Sequence, residues 1–273
     1  FLEDAIEVDV DALRDATGEV VIGGVMEHVE EAGVHSGDSA CVIPPPTLTH
    51  DVVEVIEGYT RDIADALDVR GLINVQYAVK QGQVFVIEAN PRASRTVPFV
   101  AKATGVPLAK IAARVMAGAT LAELRAEGLL VPPVMGGHVS VKEAVLPFNR
   151  FPDVDSVLGP EMRATGEVMG IDSRFGLAFA KSQIAAGNRL PASGQIFFSL
   201  ADRDKQSGLA AAVRFAELGF SIAATAGTAE FLERRGVPVA TIVAKVGDAS
   251  GSDAVDLIST GQVQLVINTP RGR

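Results

Sequence analysis

Four polar side chains lie close together at the end of an apolar stretch. Glu88, Asn90, Arg92 and Arg95 fall within eight residues, directly after the run Val84–Ile87. A carboxylate and an amide offer oxygen atoms, which are the ligands that Mg²⁺ and Mn²⁺ prefer in proteins. Guanidinium groups form bidentate hydrogen bonds with phosphate oxygens. The stretch therefore indicates a site for a metal ion and phosphate groups.

An antiparallel β-hairpin would bring a further polar group beside these four. Because side chains alternate between the faces of a strand, Asn74 and Gln76 share one face. A three-residue loop at Gln81–Gln83 would place Gln76 opposite Glu88. Two residues further along each strand, it would place Asn74 opposite Asn90. This register predicts a divalent cation held by Gln76, Glu88 and Asn90. The alternative is a polar sheet face that only contacts water.

The composition is that of a soluble globular protein with room for two domains. The chain has 273 residues, of which 48% are hydrophobic and 21% are charged. Its net charge of −10 disfavours a sequence-independent nucleic-acid binder, whose surface is usually basic. The single cysteine, Cys41, excludes an intrachain disulfide framework, fits a reducing cytoplasm and is expected to be a small buried residue. The sequence contains no secretory signal and no apolar run that predicts a membrane span.

Periodicity and turn residues predict the elements that position the polar groups. The apolar run Val84–Ile87 is expected to anchor the second hairpin strand in the core. The predicted elements are two strands around a turn within 5–29, a short strand before three prolines within 33–46, a helix over Thr49–Leu67 with Thr49 as its N-cap, the hairpin over 72–91, two or three short helices over 98–128, and strands with a short helix over 138–187.

A domain boundary is predicted near residue 189. The segment 187–194, GNRLPASG, combines glycine, proline and polar residues as a linker does. Strands and helices then alternate with short connections, which is typical of a doubly wound parallel sheet. We therefore expect an α/β protein with an α+β domain over 1–188 and a doubly wound α/β domain over 189–273. Neither end of the sequence looks finished, so we also expect a piece of a longer chain that is truncated at its C-terminus.

Several blocks of the first domain resemble the ATP-grasp family, and within it the large subunits of carbamoyl phosphate synthetases. The similar blocks are GGVMEHVEEAGVHSGDSACVIPP, VRGLINVQYAVK, VFVIEANPRASRTVPFVAKATGVPLAKIAARVMAG, SVKEAVLPFNRFP and LGPEMRATGEVMGI. They occur in the order of that family and extend over most of the first domain. Ala89 departs from the pattern, which usually has a bulkier apolar residue there.

The resemblance implies a role for each residue of the metal–phosphate group. Gln76, Glu88 and Asn90 would hold Mg²⁺ or Mn²⁺ between the phosphates of ATP, with K⁺ as a further candidate ion. Asn90 would also belong to the catalytic set, together with Arg92 and Arg95, which would bind the transferring phosphoryl group or carbamate. These roles agree with the oxygen ligands and guanidinium groups from which the site was first inferred.

Two further residues are expected at the nucleotide. The resemblance implies that Glu7 bonds the ribose hydroxyls, since a carboxylate accepts two hydrogen bonds from a diol. His35 is expected beside the nucleotide, and His28 flanks the same region. The alternatives are a solvated acid on an acidic strand for Glu7 and a structural role for the histidines.

The implied reaction is phosphoryl transfer from ATP to carbamate, which yields carbamoyl phosphate and ADP for pyrimidine and arginine biosynthesis. Such chemistry requires positioning and charge neutralisation rather than a covalent nucleophile. The resemblance implies that the protein binds a glutaminase small subunit and forms an oligomer. We expect it to bind neither nucleic acid nor a membrane. The family's glycine-rich phosphate loop is not in this sequence, so the chain alone would hold half of an ATP site and be inactive.

The resemblance also implies two effector sites. Ornithine would bind near the junction of the domains, where three acids suit its two ammonium groups; the alternative is scattered surface acids. Its expected ligands are Glu30, Asp38, Glu143 and the backbone of Leu146.

The second domain resembles the methylglyoxal-synthase-like regulatory domain of the same subunits. A nucleotide monophosphate would bind where a helix begins after a strand, since backbone N–H groups there favour an anion. The alternative is a turn that only caps the helix. Ala226 stands where the family commonly has histidine, and Pro270 where it has a hydroxyl residue. The expected ligands are Lys205, Thr225, Thr228, Lys245 and Asn268.

Two other functions remain open. Another ATP-grasp ligase, such as a carboxylase or a ribotide synthetase, shares the Glu-x-Asn-Pro-Arg pattern of residues 88–92 but not the other blocks. The chain could also be a regulatory nucleotide-binding module whose ATP-grasp part is a non-catalytic scaffold.

Overall fold

A computed structural model describes residues 2, 5–134, 136–151, 153–244 and 253–269. The contacts within the chain divide it into two units, Phe1–Asn188 and Arg189–Arg273. The fold is mixed α/β, with an antiparallel sheet in the first unit and a parallel sheet in the second, which confirms the predicted class.

The first unit is organised by a seven-stranded antiparallel sheet with strand order β5-β4-β1-β2-β3-β6-β7. β1 lies inside the sheet between β4 and β2, which explains its near-complete burial. The strands are β1 (Ile6–Arg14), β2 (Val20–Glu31), β3 (Cys41–Ile43), β4 (Gly71–Lys80), β5 (Gln83–Asn90), β6 (Val139–Val145) and β7 (Gly166–Asp172).

Helices cover both faces of this sheet. The alternation along β1 directs Val8, Val10 and Ala12 towards the face on which α1 packs, where they share a core with Ile56. Leu13 lies in the core of the opposite face, on which α2, α3 and α4 pack. The helices are α1 (His50–Ala66), α2 (Val97–Thr104), α3 (Leu108–Met116), α4 (Leu121–Ala126) and α5 (Phe175–Ala185). Thr49 is the N-cap residue of α1, as predicted, but its side chain makes no capping hydrogen bond.

The hairpin of β4 and β5 has the predicted register at the site and a different turn. Gln76 lies opposite Glu88, as predicted. The loop has two residues, since Lys80 pairs with Gln83. The intervening Gln81 and Gly82 have φ of 50° and 77°, which a two-residue type I′ turn requires. The predicted three-residue loop was therefore wrong.

A β-bulge restores the register between the turn and the site. Near the turn Tyr77 pairs with Val86, whereas the next residue of β4, Gln76, pairs with Glu88. Ile87 is therefore an extra residue without a partner on β4. The bulge offsets the one-residue error in the predicted loop, so the polar side chains still meet.

Most of the apolar run of β5 is exposed, which corrects part of a further expectation, since only Val84 of that run packs against the core that contains Tyr77. Phe85 is 38% exposed, and Val86 and Ile87 are each 50% exposed. The reason is the position of β5 at the edge of the sheet. The buried residues of the hairpin belong to β4, where Val75 and Tyr77 are fully buried.

The second unit contains a four-stranded parallel sheet with strand order β10-β9-β8-β11. Ile196 and Phe198 of β8 pack in one core with α6 and α7, while Phe197 packs in another core with Leu257 of α8. Helices therefore cover both faces, as a doubly wound fold requires. The elements are β8 (Gln195–Ser199), α6 (Lys205–Glu217), β9 (Ser221–Thr225), α7 (Ala226–Glu233), β10 (Thr241–Val243), α8 (Ala254–Ser259) and β11 (Leu265–Asn268).

Within the part of the chain that the structure describes, the search for a helix both long and apolar enough to cross a membrane finds none.

Candidate active site

The site is built on one face of the central strand β1. Glu7, Asp9 and Asp11 alternate with apolar residues and therefore point to the same face. Each is at most 4% exposed. Asp9 is the cross-strand partner of Gln76, and Asp11 is the partner of Asn74. Buried acids thus lie next to the polar side chains of the hairpin.

The three predicted metal ligands lie close together on the hairpin. Asn90 donates a hydrogen bond from Nδ2 to Glu88 Oε1 at 2.7 Å. Gln76 donates from Nε2 to Ser36 Oγ at 3.1 Å, which leaves its amide oxygen for another partner. Oxygen atoms of a carboxylate and two amides are the donors that Mg²⁺ and Mn²⁺ bind. The residues present therefore fit a hard divalent cation.

Two neighbouring cavities meet at these side chains. One has a volume of about 270 Å³ and is lined by Glu7, Gln76 and Glu88. The other, of about 220 Å³, is lined by Gln76, Arg92 and Arg95. His35, Ser36 and Gln76 border both. The structure thus brings the predicted nucleotide and phosphate residues to two adjacent cavities that share Gln76, whereas the predicted metal ligand Asn90 lines neither cavity.

Arg92 and Arg95 both line the second cavity, Arg92 from the turn after β5 and Arg95 from the segment before α2. The backbone N–H of Arg92 donates to Asn90 O at 2.8 Å, which holds the chain in a tight turn after β5. Arg95 lies between Ser94 and Thr96, which also line the cavity. The two arginines therefore concentrate positive charge in a chain whose net charge is negative.

Glu167 on β7 lines the arginine cavity, and sequence reasoning missed it. Its Oε1 is buried without a hydrogen-bond partner. Burial raises the pKa of Glu167, although Lys142 and Arg95 lower it. No sequence signal links Glu167 to this site, because β7 reaches the site only through the sheet order.

Glu7 and His35 lie at the first cavity, where the nucleotide is expected. Glu7 Oε2 accepts a hydrogen bond from the backbone N–H of Gly33 at 3.2 Å. Burial raises the pKa of Glu7, with the neighbouring His28 acting in the opposite direction. His35 Nδ1 accepts from the backbone N–H of Gly37 at 3.0 Å. The buried carboxylate of Glu7 thus lies at the cavity beside a loop whose backbone N–H groups donate to the side chains of Glu7 and His35.

Asp9, His28 and Cys41 form a buried polar cluster that reaches the arginine cavity through Asp9. Their ligand-type atoms lie within 4.8 Å of one another, and His28 Nε2 is 3.0 Å from Asp9 Oδ2. Burial alone would lower the pKa of His28, but Cys41 and Asp9 outweigh it and raise the pKa well above its ordinary value. Cys41 is fully buried, as predicted, and its polar neighbours were missed.

The second unit brings three of its predicted effector residues together at the start of α7. Thr225 is the N-cap residue, and its Oγ1 donates to Thr228 Oγ1 at 3.1 Å. Lys205 Nζ lies beside Gly227 and pairs with Asp202 at 2.7 Å. Asn268 ends β11, beside β8. The predicted Lys245 and the noted Pro270 lie outside the described residues.

Comparison with known proteins assigns both units. The family model for the carbamoyl-phosphate synthase L chain, ATP binding domain, matches residues 1–124, and the model for the MGS-like domain matches residues 208–273. The chain carries both of these domains. Its predicted resemblance to the carbamoyl phosphate synthetase large subunits is confirmed.

Individual relatives extend this similarity over the whole chain. It is 57% identical to the carbamoyl phosphate synthase large chains of Micrococcus luteus and of Archaeoglobus fulgidus, in both cases over 100% of its length. The chain spans only 26% and 25% of those relatives. A solved biotin carboxylase domain of a single-chain bacterial carboxylase aligns with a TM-score of 0.47 at 22% identity, over 54% of this chain and 34% of that one.

The predicted ornithine ligands of the first unit separate into two groups. Glu30 and Glu143 lie close enough for the charge of one to raise the pKa of the other. Both oxygens of Asp38 instead accept backbone hydrogen bonds, from the N–H groups of Arg163 at 2.7 Å and Ala164 at 2.8 Å. Leu146 follows the end of β6. The structure therefore gives Asp38 the contacts of a residue that orders a loop.

The buried carboxyl group of Glu143, with Glu30 beside it, predicts a pH-dependent stability. Burial, reinforced by Glu30, raises the pKa of Glu143 from 4.5 to about 7, while Lys142 and a hydrogen bond from Gln183 lower it. A raised folded-state pKa favours the protonated form, so its stabilisation is present below pH 4.5 and is lost as the pH rises towards about 7. Glu143→Gln should remove this loss.

The measurement is the Tm of the full-length protein between about pH 5 and about pH 8. Because a loss of stability lowers Tm, the Tm of the wild type should fall more steeply with rising pH than the Tm of Glu143→Gln. Glu233→Gln, at an exposed position at the end of α7, is the matched control and should follow the wild type. Parallel curves for Glu143→Gln and the wild type would contradict the raised pKa.

Proposed function

We propose that the first unit forms part of a site that transfers the γ-phosphoryl group of ATP to carbamate, yielding carbamoyl phosphate and ADP. One observation carries the proposal: the oxygen ligands Gln76 and Glu88 lie opposite each other beside the cavity that Arg92 and Arg95 line. Metal-binding oxygens next to guanidinium groups are what phosphoryl transfer requires of a protein. The domain match and the identity to large chains support the same reaction.

The chemistry at this site is a displacement at phosphorus. A carbamate oxygen attacks the γ-phosphorus and forms the new P–O bond, while the bond to the bridging oxygen breaks and ADP leaves with its electron pair. Arg92 and Arg95 hold the transferring group through charge-assisted hydrogen bonds and oppose the charge on its oxygens. Glu7 accepts hydrogen bonds from the ribose hydroxyls at the other cavity.

Gln76, Glu88 and Asn90 are the residues that would hold the divalent ion. When bound, such an ion neutralises phosphate charge and orients the phosphates. Hydrogen bonds between these side chains and to Ser36 already orient them. We propose Mg²⁺ or Mn²⁺ for this position and K⁺ as an additional monovalent ion.

The chain acts within a longer large chain in this proposal. The rest of the ATP site would come from sequence outside these 273 residues, and the chain alone would be inactive. Ammonia for carbamate would come from a glutamine-hydrolysing small subunit. The product would supply pyrimidine and arginine biosynthesis in the cytoplasm, and the enzyme would be oligomeric.

The second unit would regulate this activity. Thr225, Thr228 and Lys205 surround the first turn of α7, where backbone N–H groups favour an anion such as a nucleotide monophosphate. Asn268 and Lys245 are the other residues proposed to bind this ligand. In the first unit, Glu30 and Glu143 would attract the ammonium groups of ornithine, with Asp38 and Leu146 shaping the loop around it.

The test uses the full-length protein supplied with ATP, Mg²⁺ and ammonium carbamate. We expect carbamoyl phosphate and ADP to form in equal amounts. Thr225→Ala should change the response to a nucleotide monophosphate and leave the rate without effector within about twofold, because Thr225 lies outside the first unit. Nucleotide hydrolysis without carbamoyl phosphate would overturn the proposed reaction.

A non-catalytic scaffold is the competing function. It would bind nucleotide at the second unit and show no turnover that depends on the hairpin side chains. The same assay distinguishes the two, because a scaffold predicts unchanged turnover when those side chains are replaced.

A further inference from the structure

Asp11 is a fully buried acid whose contacts lead to the arginine cavity. It lies on the central strand β1 and is 1% exposed. Its Oδ1 accepts hydrogen bonds from Ser94 Oγ at 2.8 Å and Asn74 Nδ2 at 3.0 Å, and its Oδ2 accepts from Thr96 Oγ1 at 2.6 Å. Two of these three donors are the immediate neighbours of Arg95 in the sequence.

The side chain of Thr96 bonds to Asp11 instead of capping the helix that it precedes. It is the N-cap residue of α2, a position at which threonine usually accepts a hydrogen bond from the helix backbone. Its side chain makes no such bond and instead donates to Asp11. The start of α2 and the residue before it are thereby tied to β1.

Asn74 connects the same carboxylate to the hairpin. It is the cross-strand partner of Asp11 on one side and of Asn90 on the other. β1 therefore sets the position of the loop that carries Arg95 relative to the hairpin that carries the metal ligands. Asp11 lines neither cavity itself, so its effect would pass through its partners.

The charge state of Asp11 suits this role near neutral pH. Burial raises the pKa of Asp11 to about 6, while hydrogen bonds from Thr96, Asn74 and Ser94 lower it. An ionised carboxylate accepts several hydrogen bonds at once, and bonds to charged groups are stronger than neutral ones.

We propose that Asp11 is a positioning residue, which holds Ser94 and Thr96 and thereby aims the guanidinium group of Arg95 at the transferring phosphoryl group. This inference rests on the proposed function and adds a residue that acts through Arg95.

The test compares two variants of Thr96 in the full-length protein. Thr96→Val keeps the shape of the side chain and removes the hydroxyl, whereas Thr96→Ser keeps the hydroxyl. We expect Thr96→Val to lower kcat about tenfold, the effect of one lost hydrogen bond to a charged group. Thr96→Ser should stay within about twofold of the wild type, and KM for ADP should change little in either. The assay follows ATP formed from ADP and carbamoyl phosphate, the chemical reverse of the proposed step.

Two further variants separate positioning from a general loss of structure. In an Arg95→Ala background, Thr96→Val should have no further effect on kcat, because the group that it positions is already missing. Asp11→Asn keeps the shape of the side chain but removes its charge, so it should lower kcat about as much as Thr96→Val does. In the Arg95→Ala background, Asp11→Asn should also have no further effect on kcat.

Each outcome is decisive. An unchanged kcat in Thr96→Val, or a decrease of the same size with and without Arg95, would overturn the positioning role and leave the proposed function standing. A wild type that makes no ATP from ADP and carbamoyl phosphate would overturn both.

Discussion

Glu88→Gln is expected to lower carbamate-dependent ATP turnover of the full-length protein by about 10²- to 10³-fold, the effect of removing one preorganised electrostatic partner. The exchange keeps the shape of the side chain and removes its charge. Glu88 is the carboxylate of the proposed metal site, between Gln76 across the hairpin and Asn90 beside it. A hard divalent cation loses its anionic ligand when the carboxylate becomes an amide.

The Mg²⁺ dependence identifies the cause of this loss. Turnover is measured over a range of Mg²⁺ concentrations, and the variant should require more metal as well as reach a lower maximum. Glu54→Gln, on the exposed surface of α1, is the matched control and should behave as the wild type does. Unchanged turnover and unchanged Mg²⁺ dependence in Glu88→Gln would favour the scaffold alternative.

Arg95→Ala is expected to lower kcat by about 10²-fold or more, since its guanidinium group opposes charge that develops on the phosphoryl oxygens. Arg95 lines the 220 Å³ cavity together with Arg92, next to Gln76. Arg95→Lys keeps the charge but loses the planar fork, so it should recover only part of the rate. The partial recovery distinguishes a bidentate contact from a general effect of positive charge.

The kinetic assay for Arg95 also reports KM for ATP, which should change less than kcat because the ribose and metal residues remain. Arg70→Ala, at an exposed arginine that lies 3.9 Å from Asp68, serves as the matched control. Equal rates for Arg95→Ala and the wild type would remove Arg95 from the proposed mechanism.

Much of the fold could be predicted, because alternation and turn residues act locally. The acids of β1 alternate with Val8 and Val10, which identifies a half-polar strand. The predicted register of Gln76 with Glu88 was correct because the bulge at Ile87 compensates for a loop that was predicted one residue too long. In the second unit, the alternation of strands and helices was enough to predict a parallel sheet.

The rest depends on contacts between distant parts of the chain. The exposure of Val86 follows from the edge position of β5, which the strand's own composition does not reveal. The bonds of Asp11 to Ser94 and Thr96 join residues more than eighty positions apart. Asp38 was expected at an effector, but its carboxylate accepts from a loop that no local pattern links to it.

The bulge at Ile87 makes the two ends of the hairpin independent of each other. Pairs near the turn, such as Lys80 with Gln83, have one register, and the pair of Gln76 with Glu88 has a register shifted by one residue. A change of one residue in the length of the turn could therefore be absorbed at the bulge without moving the metal ligands. The length of the turn can therefore vary by one residue during evolution while the metal ligands keep their cross-strand register.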